Sequence, residues 1–176
     1  MSTKAETSQI DLGTLTIAKA QAAFADGSLT SEALTRASIA QMKALNGKYN
    51  AVIFECDDAL DVAREIDRRR AAGEKLGPMA GIPVVIKDTV DMVGYPSTAG
   101  WRLLYSGTGG VDLMPERDAP VAARMKAAGA VILGKTNVPI LSWTGTHAND
   151  SWAGPTLNVV REDRAPGGSS AGTASA

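Results

Sequence analysis

Two short β-branched runs, separated by a helix, constrain the fold more than any other feature of the chain. Ile82-Pro83-Val84-Val85-Ile86 follows Gly81 and reads as a buried strand. Val131-Ile132-Leu133 reads as a second, continuous apolar strand. Between them Asp118 is placed to cap a helix, with Pro120 in its first turn and Gly129 after its last. Strand, helix and strand in that order predict an α/β fold. The expected sheet is mixed and largely parallel, flanked by helices.

The residues upstream read mainly as helix. A first helix over 15–26 is stopped by Gly27. Thr30 caps a second that runs to about Leu45, with Asn46-Gly47 as its stop. Ala51-Val52-Ile53-Phe54 is a short strand, and Asp57 or Asp58 caps a third helix. In that helix Ala59, Val62, Ala63 and Ile66 follow the i, i+3, i+4, i+7 pattern of a buried face. Arg68, Arg69 and Arg70 lie near its C-terminal end, where cations suit the helix dipole, and read as a solvated helix end. Residues 1–75 therefore form a mainly helical region, and residues 76–176 begin an α/β core. From Pro139 to Pro166 the pattern weakens into Trp-, Gly- and Asn-rich loop, the kind of segment on which function often sits.

Bulk properties narrow the function. The 176 residues are 44% hydrophobic and 21% charged, a globular composition. A net charge of −1 offers no basic field, so no nucleic-acid partner is expected. No apolar run approaches the ~20 residues that span a bilayer. Met1 to Glu6 lacks an apolar signal core. No membrane association is expected, and a cytoplasmic location is the default. Cys56 is the only cysteine, which excludes an internal disulfide and gives no support to a cysteine metal cluster.

Two motif matches mislead. Gly129 to Thr136 fits G-x-x-x-x-G-K-[ST] letter for letter. A phosphate cradle needs a flexible turn after a strand, whereas here the middle residues are themselves the strand. Gly168-Ser169-Ser170-Ala171-Gly172 fits G-x-S-x-G, but the hydrolase elbow needs its histidine after the serine. The only histidine, His147, precedes it and reads as a residue that holds a loop by hydrogen bonds. No serine has a lysine three residues on, so the S-x-x-K pattern is also absent.

Lys87 closes an apolar strand, and sites collect at the C-terminal ends of such strands. Shielded from water there, a lysine loses part of its preference for the ammonium form and can take a proton from a hydroxyl. Alone, it reads first as a solvated strand-end lysine. The loop Pro166 to Gly172 is likewise open to several readings alone: a flexible loop, or an anion nest. Together the two segments are more specific. Serine is too weakly acidic to attack an amide unaided, and a base other than histidine points to lysine.

These segments resemble the amidase signature family. The resemblance rests on G-I-P-V-V-I-K-D at 81–88, A-G-A-V-I-L-G-K-T-N-V-P at 128–139 and A-P-G-G-S-S-A-G at 165–172. The helix from Leu15-Thr16 and the run Gly27 to Glu32 are also similar to that family's N-terminal region. The family implies a Ser–Ser–Lys triad acting on a small-molecule amide without metal or cofactor. On that resemblance Lys87 is the base and Ser169 the bridging serine, with the Gly168–Ser169 peptide cis. Gly168 and Ser170 would contact substrate or support the site, and Asp88 and Asn137 would support it from behind.

Ala171 stands where the family has glycine, and alanine tolerates positive φ poorly. The family's acylated serine and its oxyanion donors lie in a second glycine-rich motif further on. The resemblance thus makes residues 1–176 a single partial amidase domain, truncated after the Gly-Ser loop and lacking the nucleophile. Such a chain is expected to be inactive alone. Its unpaired sheet edge would invite association, so homo-oligomer formation is an expectation. A non-catalytic binding or scaffold domain, and the partial amidase subunit of a glutamine-dependent amidotransferase, stay open as alternatives.

Overall fold

The computed structural model describes residues 10–144 and 150–176. Among the described residues, five α-helices and three strands follow one another as α1 (Ile17–Asp26), α2 (Ser31–Tyr49), β1 (Val52–Glu55), α3 (Ala59–Ala71), β2 (Pro83–Lys87), α4 (Pro120–Ala127), β3 (Val131–Thr136) and α5 (Ala171–Ser175). The sheet order is β1-β3-β2, with β3 antiparallel to β1 and parallel to β2. The expected α/β architecture with a mixed sheet is therefore present. Among the described strands, one pairing is parallel and one antiparallel.

The central strand β3 is buried along its whole length. Val131, Ile132 and Leu133 pack with Ile86 of β2 and with Ala59, Ala63 and Ile66 of α3. Each such larger aliphatic side chain contributes about 1.5–3 kcal/mol by leaving water. Ala20 and Phe24 of α1, Leu34 of α2 and Ile82 form a second cluster. Val62, by contrast, sits at the exposed margin of the α3 face.

Several local expectations are corrected. Helix α2 continues through Asn46-Gly47 and ends at Asn50, whose φ is 50°. Asn46 is a clamp, not a stop: its side chain donates to the Val52 carbonyl (2.7 Å) and accepts from the Val52 N–H (2.8 Å). Asp58 occupies the first cap position of α3 without a side-chain capping bond. Asp118 does not cap α4; it accepts from the Val93 N–H at 2.8 Å and pairs with Lys126 at 2.8 Å. Arg68 and Arg69 are surface ion-pair partners, but Arg70 turns inward. It bridges Asp67 (2.7 Å), Ser31 Oγ (3.0 Å) and the Ala80 carbonyl (3.0 Å), and lies over the Phe24 ring.

The phosphate-loop likeness has no structural counterpart. Gly134, Lys135 and Thr136 are all inside β3, and Lys135 is wholly buried. A side chain at Gly134 would overlap the Phe54 carbonyl oxygen, so the glycine serves the close approach of β1.

Candidate active site

Parallel pairing sets Lys87 beside Thr136 at the C-terminal ends of β2 and β3. Helix α5 closes onto this end of the sheet. The Gly172 N–H donates to the Asn137 carbonyl at 2.9 Å, and the Thr136 and Thr173 hydroxyls share a 2.7 Å hydrogen bond. These two ties hold the start of α5, and hence Ser169, over the strand ends. The Gly168–Ser169 peptide is cis. Lys87 Nζ lies 2.6 Å from Ser169 Oγ. Ala171, in place of a loop glycine, is fully buried and opens α5 with helical geometry, so the substitution is accommodated.

Lys87 is half-buried, and among the described residues no carboxylate pairs with it. Burial alone lowers its pKa below the usual lysine value. A lysine in that setting is suited to exchange a proton with the hydroxyl it touches.

The remaining sequence-predicted residues fall in two places. Gly168 and Ser170 flank Ser169 on the exposed side of the loop. Asp88 and Asn137 are fully buried beneath it and touch neither Lys87 Nζ nor Ser169 Oγ. Asp88 accepts from Thr98 Oγ1 at 2.8 Å, and its other oxygen lies 3.5 Å from the Lys135 ammonium. Asn137 joins three segments. Its amide donates to the Asn50 and Gly154 carbonyls, and its oxygen accepts from Ser151 Oγ at 2.6 Å and from the Val138 N–H. His147 lies outside the described residues.

Sequence reasoning missed the polar layer under the site. Lys135 donates to the Pro96 carbonyl at 2.6 Å and to Ser97 Oγ at 3.2 Å. Its pKa is lowered by burial, with Asp88 acting in the opposite direction. Trp152 Nε1 donates to Thr98 Oγ1 at 2.7 Å, tying the 151–154 segment to the Asp88 network. The available signal was a lysine in an unbroken apolar strand, which needs internal acceptors. Cys56 is buried, and burial pushes its thiol up to about 11, so it is an inert thiol. Two cavities, of about 400 and 590 Å³, flank the sheet, and neither is lined by Lys87 or Ser169.

A lysine–serine pair at the end of a parallel strand, backed by a buried polar layer, is an arrangement suited to acyl transfer. The sequence matches the family described as Amidase over residues 33–176. It is 37% identical over 167 residues to the A component of the glutamyl-tRNA(Gln) amidotransferase of Salinispora tropica, covering 94% of this chain and 33% of that one. Among solved structures it matches a bacterial aryl acylamidase of the amidase signature enzymes at a TM-score of 0.82 and 27% identity, covering 92% of this chain and 32% of the other. It matches the peptide amidase of Stenotrophomonas maltophilia at a TM-score of 0.77 and 34% identity, covering 90% and 33%. The chain belongs to the amidase signature family. It spans about a third of the length of the curated relatives it matches. No helix among the described residues is long and apolar enough to cross a membrane.

Proposed function

We propose that residues 1–176 are the base-bearing part of an amide hydrolase, a single partial domain working through a Ser–Ser–Lys triad. The observation that supports this reading best is the 2.6 Å contact between Lys87 Nζ and Ser169 Oγ. Lys87, its ammonium form disfavoured by burial, is the base. Ser169 relays the proton from an attacking serine that lies outside residues 1–176. That serine attacks the amide carbonyl carbon. Its proton passes through Ser169 to Lys87 and returns by the same path to the departing amine nitrogen. Water then hydrolyses the acyl-enzyme. Gly168 and Ser170 border the path of the substrate. Asp88 and Asn137 hold the strand ends and the loop in register.

The test is hydrolysis of aryl and aliphatic amides by the protein that contains these residues. Lys87→Ala and Ser169→Ala should each lower kcat/KM by on the order of 10²- to 10⁴-fold with the fold intact. Full activity in either variant would end the proposal. Residues 1–176 by themselves should not turn over amides. Robust turnover abolished by Lys87→Ala would show that the attacking group lies within them.

A second reading is favoured by the similarity to a component of a glutamyl-tRNA(Gln) amidotransferase. On it the same triad would release ammonia from glutamine for a partner protein. Glutaminase activity that rises on addition of a partner would support it over a free-standing amidase.

A further inference from the structure

We propose that Ser169 and Lys87 form an acyl-transfer site on their own, in which Ser169 Oγ is the nucleophile toward activated acyl donors such as aryl esters. This rests on the reading of Lys87 as a base, but it gives Ser169 a second role, attack instead of relay.

The geometry meets the requirement for a nucleophile–base pair. The two heavy atoms are 2.6 Å apart, within the range over which a proton passes. Among the described residues, each side chain has the other as its only hydrogen-bond partner. There, no carboxylate competes for the amine, and no backbone carbonyl competes for the hydroxyl. Burial further favours the neutral amine. The serine is also reachable. It is half-buried, its neighbour Gly168 has no side chain, and both Gly168 and Ser170 are exposed. It is held still as well, because the Gly172–Asn137 and Thr136–Thr173 bonds fix the segment that follows it. Serine–lysine pairs without histidine are a chemically sufficient solution to acyl transfer.

Each step balances. Ser169 Oγ forms a bond to the acyl carbon while its proton moves to Lys87 Nζ. The bond from the acyl carbon to the aryl oxygen then breaks, and the electron pair leaves with the aryl oxide. The Lys87 ammonium returns its proton to water or to the leaving group. An aryl oxide departs as an anion, so it makes little demand on the site. Both substrates develop an oxyanion whose donors are worth on the order of 10²- to 10³-fold in rate, but an amide must in addition have its nitrogen protonated before it can depart. Aryl esters are therefore within reach of Ser169 where amides are not.

The test is acetylation of the 176-residue chain by p-nitrophenyl acetate, followed by intact mass and peptide mapping. One acetyl group is expected on Ser169, as an ester that hydroxylamine removes. Its rate of formation should rise with pH and level off below the usual lysine value of 10.5. Lys87→Met should slow labelling by on the order of 10²-fold. Lys87→Arg, which keeps a cation but cannot act as a base, should slow it similarly, and circular dichroism would confirm that both variants fold. Acetyl found on Lys87 as a hydroxylamine-resistant amide would overturn the proposal. So would Ser169 labelling no faster than that of an exposed serine such as Ser28, or labelling unchanged in both folded variants. Loss of amide hydrolysis on Lys87 and Ser169 substitution in the longer protein, with no Ser169 acetylation here, would overturn the nucleophile and leave the relay standing.

Discussion

Lys135 in the central strand and Asp88, one residue past β2, are both wholly buried, with Nζ 3.5 Å from Oδ1. The pair fixes the backbone next to Lys87, because the Asp88 N–H also donates to the Thr136 carbonyl at 3.1 Å. Lys87 is thus flanked by a charge network that forms no hydrogen bond or ion pair with its amine.

Breaking this pair from one side should cost more than removing it. Lys135→Met leaves a buried carboxylate with Thr98 as its one side-chain donor among the described residues, and should destabilise the chain by about 3 kcal/mol. Lys135→Met combined with Asp88→Asn should recover part of that loss, giving a coupling of about 1–3 kcal/mol in a double-mutant cycle. Urea unfolding of the four proteins measures it. Strictly additive costs would mean that the two groups do not share one network.

How far this site was legible from the residues depends on the range of each interaction. Thr30 announced α2 because a cap acts within three residues, and its side chain does cap. The runs at 82–86 and 131–133 announced strands because β-branched content is local. Asn46 and Asp118 misled because their side chains bond to Val52 and Val93, outside the turns in which the local rules place them. Lys87 and Ser169, 82 residues apart, were legible as candidates through their flanking patterns, while their contact follows from the parallel register and from α5. Lys135 was hidden because its acceptors come from the 88–98 turn, whose path the sequence does not encode locally.

The state of Lys87 should show in the pH dependence of stability. Its folded-state pKa is lowered by burial, so the unfolded chain binds that proton more tightly. Its contribution is fully present above the usual value of 10.5 and is lost as pH falls through the lowered folded value. Lys87→Met removes this dependence. The difference in Tm, wild type minus variant, should therefore rise with pH across the interval below 10.5 and flatten above it. Thermal melts at matched ionic strength from neutral to alkaline pH measure it. A difference that falls with rising pH would mean that the folded chain favours the ammonium form.

Two glycines beside the Ser169 loop should respond differently to the same substitution. A Cβ at Gly172 would overlap the Ala51 carbonyl oxygen and the Asn137 backbone nitrogen. Both belong to main chain flanking the sheet, which cannot yield without displacing β1 or β3. Gly172→Ala should therefore cost about 3 kcal/mol, the upper part of the usual range for overpacking. Gly167 has a φ of 85° and open space where a Cβ would stand. Gly167→Ala meets only backbone strain and should cost about 1–2 kcal/mol. Urea midpoints rank the two. The functional ranking should follow the packing: Gly172 holds the segment that places Ser169 against Lys87, and a shift of about 1 Å there lowers a proton-transfer rate by on the order of 10²-fold. Ser169 acetylation should consequently fall far more in Gly172→Ala than in Gly167→Ala, and equal losses would mean that α5 does not position the serine.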